Sequence, residues 1–209
     1  MTYRFLRTLD TPGVQGARAA NGVGELWETT DVDVDRPADR FSPNETAFIA
    51  ERDSFYLATV SQTGWPYIQH RGGPRGFLRV LDESTLGFAD FRGNRQYLTL
   101  GNLVDDDRVA LFLMDYARRR RLKILARMSA HDLKAKADLA ERLATPGYRG
   151  LAERGFTLRL HAFDWNCPQH ITPRFKADEI EAAIAPLRAR LRDLEDENAR
   201  LRGEKESLS

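Results

Sequence analysis

The chain has 209 residues, of which 42% are hydrophobic, and a formal net charge of +1. Its length suits one domain with an appendage, its apolar content excludes wholesale disorder, and its near-zero charge excludes a global field that would gather nucleic acid or acidic lipid. The one cysteine, Cys167, cannot close an internal disulfide. Residues 1–20 carry charges throughout and no apolar signal stretch, and no run approaches a membrane span. A soluble, cytoplasmic protein is expected.

Residues 1–41 read as an arm. Gly13, Gly16, Gly22 and Gly24 interrupt any period, and residues 31–35 form an acidic Asp-Val-Asp-Val-Asp run. The arm either wraps a domain or frays. Ser42-Pro43-Asn44-Glu45 then predicts a helix start, with Ser42 as cap, Pro43 in the first turn and Glu45 closing a capping box. Phe55–Val60 and Trp65–His70, joined by Ser61-Gln62-Thr63-Gly64, predict a hairpin. Phe77–Leu81 and Thr85–Ala89 predict a second strand pair around Asp82-Glu83-Ser84. Arg92–Leu103 reads as a loop running into a short helix. Strands follow at Arg108–Tyr116, Arg121–Ser129 and Gly155–Trp165, with a helix at Leu133–Ala144 between the last two. That makes seven short strands, mostly joined by connections too short for parallel crossovers, so an antiparallel barrel with peripheral helices is predicted.

Beyond residue 175 the pattern changes. Ile184, Leu187, Leu191, Leu194, Asn198, Leu201, Lys205 and Leu208 share one a/d heptad register. Asn at an a position is a register device of parallel dimers, and Arg190/Glu195 and Glu197/Arg202 fall at complementary g and e positions. The segment is either a two-stranded coiled coil or a solvated amphipathic helix. The organisation is thus an arm (1–41), a barrel domain (42–175) and a C-terminal helix (176–209).

Several clusters bear chemistry. In Arg92-Gly93-Asn94-Arg95-Gln96, two arginines flank a glycine where a strand ends and a helix begins. That supplies the cationic forks and free N–H groups a phosphate needs, or else is a solvated basic turn. His70-Arg71-Gly72-Gly73 ends a strand in glycines, which admits a flat ring or marks a bulge. Arg118–Arg121 reads as a solvated hairpin end, with no nucleic-acid role expected. Lys123, on an otherwise apolar strand, wants a phosphate or a carboxylate. Trp165 can cover a ring or pack in the core. Cys167 with His170 is too few ligands for zinc, and nothing marks Cys167 as a nucleophile activated by His161 or His170.

The segments Asp53–Val60, Gly64-Trp65-Pro66, Gln69–Gly73 and Gly87–Tyr97 together resemble the FMN-binding branch of the pyridoxamine 5'-phosphate oxidase-like family. So do Gly101-Asn102-Leu103, Arg121–Ile124 and Trp165–Ile171. The resemblance spans residues 42–175, and Asp90–Gln96 is its most specific part. It implies a six-stranded antiparallel split β-barrel, mainly β in an α+β sense, forming a homodimer with FMN at the interface. Arg92, Asn94 and Arg95 would hold the phosphate, with Gln96 beside them in the cofactor site; His70, Arg71 and Gly72 would line the ring. Lys123 would add a cation, and Trp165, Gln169 and His170 would come from the partner subunit.

The vitamin B6 oxidases carry an arginine–leucine motif near their C-terminus. Here that region reads Ile171-Thr172-Pro173-Arg174-Phe175, so a true pyridoxamine phosphate oxidase is not expected. The resemblance implies an FMN-dependent oxidoreductase. The alternative is a non-enzymatic FMN carrier or redox sensor with the C-terminal helix as output; a weaker one exchanges FMN for heme or a deazaflavin. Catalytic residues are not identified, and no metal is expected.

Overall fold

The computed structural model describes residues 3–24, 40–165 and 168–207, with backbone alone for 3 and 204–207. The acidic run at 31–35 and Cys167 lie outside the described residues. The chain divides into two units: residues 1–115 with 120–169, and residues 116–119 with 170–209.

The first unit is built on a seven-stranded, wholly antiparallel sheet, ordered β2-β1-β5-β6-β7-β4-β3. Its strands are β1 (Ser54–Val60), β2 (Pro66–Gly72), β3 (Arg79–Asp82), β4 (Thr85–Phe91), β5 (Arg108–Asp115), β6 (Arg120–His131) and β7 (Ala152–Trp165). The predicted strands all form, within a few residues of the expected bounds. The sheet thus has seven strands where the family resemblance implies six, and the shortest is the four-residue β3. It pairs only with β4, across a bulge between Val80 and Asp82.

Alternation along each strand decides which face is dry. In β1, Phe55 and Leu57 are buried while Tyr56 and Val60 are not; in β6, Leu122 and Ile124 are buried on either side of Lys123. The buried faces converge because the sheet curls. Phe55 of β1 packs edge-on to Phe88 of β4 with centroids 5.3 Å apart, and Phe88 lies 5.3 Å from Phe156 of β7. β4 and β7 are ladder neighbours, but β1 and β4 stand four strands apart in the order, so only a curled sheet lets Phe55 and Phe88 meet. The opening stays between β2 and β4, which share no ladder but are tied by Arg71 and Asp90 at 2.6 Å. Each fully buried Phe or Leu contributes about 1.5–3 kcal/mol, so this converging face is the main source of stability.

Helices close the edges. In α3 (Pro43–Ala50), the capping box forms as predicted: Glu45 accepts from the Ser42 N–H at 3.0 Å, and the Asn44 N–H donates to Ser42 Oγ at 3.2 Å. The helix predicted over 133–144 is shorter. Asp132 accepts from the Lys134 N–H at 2.9 Å, which sets a turn, and α5 begins only afterwards (Ala137–Leu143). Gly87 and Gly155 lie beneath Leu143. A Cβ on either would approach that side chain to 2.9 Å or 3.0 Å, so these two glycines let α5 pack close to the sheet without displacing Leu143. Helix α4 (Leu98–Asn102) follows β4.

The arm is more ordered than its glycines suggest. It forms α1 (Tyr3–Leu9) and α2 (Pro12–Ala20), the latter capped by Thr11 with Pro12 in the first turn. Phe5 of α1 is buried, and Thr8 Oγ1 lies 2.9 Å from His161 Nε2 on β7.

The second unit contains α6 (Ala177–Ser207), a 31-residue helix with Pro186 inside it. Its described side chains include no buried residue. Among the described residues, no helix is long and apolar enough to cross a membrane.

Candidate functional site

A cleft opens where β2 and β4 part. Tyr67, Gln69 and Arg71 line it from β2, Asp90 and Phe91 from β4, Glu153 and Phe156 from β7, and the segment 93–100 closes one side. Strand alternation explains the first set, since residues 67, 69 and 71 share one face of β2. The antiparallel register of β4 on β7 explains the second, because it sets Asp90 opposite Arg154.

The walls carry an alternating charge network. Arg71 donates to Asp90 at 2.6 Å, and Arg154 Nε stands 3.6 Å from the other oxygen of Asp90. Arg154 also reaches Glu153 at 3.1 Å, and Arg92 reaches Glu153 at 2.9 Å. Burial pushes the Asp90 carboxyl above the ordinary aspartate range, although Arg71 and Arg154 pull the other way. The Arg92 hydrogen bond holds Glu153 below the ordinary glutamate range, against a smaller effect of burial. Three arginines thus face two carboxylates. Arg71 Nε is buried without a hydrogen-bond partner.

The loop between β4 and α4 is strained. Arg95 (φ 60°) and Tyr97 (φ 54°) are both left-handed, a conformation that side chains with a Cβ rarely adopt. Asn94 Oδ1 accepts from the Gln96 N–H at 3.1 Å, and the Arg92 N–H donates to the Leu151 carbonyl at 2.8 Å, which together fix the loop. A Cβ at Gly93 would meet nothing within 4 Å, so that glycine leaves open space. Strain of this kind costs about 1–3 kcal/mol per residue and gathers at functional sites.

The predicted residues divide between this cleft and elsewhere. Arg71, Asn94, Arg95 and Gln96 line it, and Arg92 borders it through Glu153. His70 and Gly72 lie on the other face of β2, where His70 packs edge-on to Tyr56 with centroids 5.7 Å apart. Lys123 is bonded to Asp164 at 2.6 Å, with its ammonium 4.8 Å from the Phe5 ring centroid, outside the cleft. Trp165 is fixed elsewhere: its indole N–H donates to Glu45 at 2.7 Å, its ring meets Phe48 edge-on, and Arg120 stacks on it. Gln169 ends the first unit; His170, also left-handed (φ 60°), begins the second stretch of the other. Among the described residues, no three of His, Cys, Asp and Glu gather as a metal site. The sequence reading missed Tyr67, Gln69, Asp90, Glu153 and Arg154. Alternation along β2 signals the first two, but only the β4–β7 register brings Glu153 and Arg154 to Asp90.

Fold and cleft define an antiparallel split barrel whose opening is lined with cations. The chain belongs to the pyridoxamine 5'-phosphate oxidase family, whose sequence model matches residues 41–157. No curated protein matches it. Among solved structures, the chain is similar to Group A Streptococcus HupZ, with 12% identity over 65% of this chain and 100% of that one, at a TM-score of 0.46. It is similar to an FMN-binding protein from Syntrophomonas wolfei, with 17% identity over 58% and 83%, at 0.43. It is also similar to a protein related to general stress protein 26, from Clostridium acetobutylicum, with 15% identity over 66% and 94%, at 0.43.

Proposed function

We propose that this chain is an FMN-binding flavoprotein that works as a homodimer and passes electrons between a small-molecule donor and an acceptor. The observation that carries the reading is the guanidinium of Arg71. Its Nε is buried without a partner beside a strained loop whose Arg95 has no ion pair among the described interactions. An anionic, planar ligand fits donors left in this state. Arg92, Asn94, Arg95 and Gln96 would hold the phosphate, and Arg71 would face the ring. Bound FMN would supply the redox chemistry, while these residues bind and orient it.

A second copy fits the outer face of β1 and β2. Ile68 is 68% exposed there, with Tyr56 and Val60 exposed beside it and Trp65, in the turn that joins the two strands, 75% exposed. Exposed apolar groups in such number mark an interaction surface. His70 and Gly72 share this side, so the homodimer would bring them to the cofactor, while Lys123, bonded to Asp164, would contribute only if that pair opened. Gln169 and His170 would serve the partner's site, whereas Trp165, its N–H taken by Glu45, belongs to the scaffold.

The test is the absorbance spectrum of the full chain purified without added cofactor, with identification of what heat releases. Flavin bands with FMN in the supernatant are expected. A colourless chain that also fails to take up added FMN overturns the proposal. The exposed α6 favours a second reading, an FMN carrier or sensor with that helix as its output. Steady NAD(P)H-driven turnover supports the enzyme; a single stoichiometric reduction supports the sensor.

A further inference from the structure

We infer that α6, from Leu187 onward, pairs in parallel and in register with α6 of a second copy of this chain, forming a two-stranded coiled coil. This goes beyond the flavin site and stands whether or not FMN binds. The helix is continuous to Ser207, yet Leu187, Leu191, Leu194 and Leu201 remain between 45% and 70% exposed along one stripe. They alternate at spacings of four and three, the seam that a left-handed pair of helices buries. Pro186 marks where pairing begins. It lacks the N–H that would reach the carbonyl four residues back, and its ring perturbs the turn before it. After it, three heptads run without another proline.

Three features select the occupant. With Asn198 at a, the positions Leu191 and Asn198 are a, and Leu187, Leu194 and Leu201 are d. In a parallel, in-register pair, Asn198 meets Asn198, and each amide can donate to the other. In an antiparallel pair, an a residue faces a d residue, and the amide would be buried against leucine without a partner.

The flanking charges agree. Arg190 and Glu197 stand at g, Glu195 and Arg202 at the following e positions. Within one chain none of these four carries an ion pair among the described interactions, whereas Arg188 is already bonded to Glu181. In the parallel pair, Arg190 meets Glu195 of the second copy and Glu197 meets Arg202. A foreign partner would have to supply the same pattern; a second copy supplies it by identity.

The experiment uses the full chain in a Cys167→Ser background, with one new cysteine at a time. Leu194→Cys and Leu201→Cys, both on the seam, should form disulfide-linked dimers under mild oxidation. Asp196→Cys, on the outer face, should link at least about tenfold more slowly, since its sulfurs lie beyond disulfide reach. Adding Glu197→Arg to Leu194→Cys should reduce linkage, and adding Arg202→Glu as well should restore it. Equal rates at positions 194 and 196 would overturn the inference. So would linkage only between chains carrying Cys at 187 and chains carrying Cys at 201, because that pairing is antiparallel. Indifference to the charge exchange would overturn the register.

Discussion

Two polar clusters in the barrel unit use similar groups to opposite ends. Around Glu45, the Ser42 N–H and hydroxyl, the Asn44 amide and the Trp165 indole all donate to one carboxylate. Burial alone would raise that carboxyl, but the donated hydrogen bonds outweigh it and hold the group below the ordinary glutamate range. Around Asp90 the balance reverses: burial outweighs two arginines and the carboxyl is raised. There a guanidinium nitrogen goes unpartnered, and the adjoining backbone is left-handed at two non-glycine residues. The first cluster is complete and ties α3 to the end of β7. The second is incomplete, which is the condition for receiving a ligand. Polar residues near a cleft therefore say little by their identity; whether their bonding capacity is filled separates scaffold from site.

The sharpest way to break this contrast is Glu45→Ala. It strands the Trp165 N–H and the start of α3, and should cost about 3 kcal/mol of stability, read as a lower urea midpoint. FMN affinity per folded molecule should not change. A loss under about 1 kcal/mol would mean that the Glu45 cluster is no more structural than the cleft. Arg95→Ala is the converse. Its side chain is exposed, so stability should stay within about 0.5 kcal/mol. The dissociation constant for FMN, measured by fluorescence quenching, should rise by about 10–100-fold, as expected for losing a hydrogen bond to a charged group. Arg95→Gly separates strain from binding. It should weaken FMN equally, yet raise thermal stability by about 1 kcal/mol, because glycine adopts the left-handed conformation without penalty.

The division between legible and illegible follows sequence separation. The capping box, the β1–β2 and β3–β4 hairpins and the Arg92–Gln96 loop are local patterns, and the sequence displays them. Lys123 shows the limit. Its need for an anion is visible, but its neighbour Asp164 is chosen by the β6–β7 register, which local pattern does not specify. Arg154 and Glu153 join Asp90 for the same reason, through a pairing of strands more than sixty residues apart. Trp165 reads equally as a ring cover or a core residue until Glu45, 120 positions away, takes its N–H. The arm misleads differently. Its glycines argue against helix, but one threonine cap with a proline at the first turn starts α2 in spite of them.

The smallest expected effect is also the most direct on the two carboxylates. For Asp90, the folded pKa is raised, so its contribution to stability is fully present below its unfolded value of 3.8 and is lost as pH rises through the folded one. For Glu45, the folded pKa is lowered, so its contribution is present above its unfolded value of 4.5 and is lost as pH falls through the folded one. In a carbon-detected NMR titration, the Asp90 carboxyl should take up its proton above the ordinary aspartate range and the Glu45 carboxyl below the ordinary glutamate range, with the Trp165 indole N–H moving together with Glu45. The urea midpoint should rise slightly as Asp90 takes up its proton and fall as Glu45 takes up its own. If Glu45 titrates at or above the ordinary glutamate range, its hydrogen bonds do not outweigh its burial, and the distinction between a filled cluster and an open one fails at its own test residue.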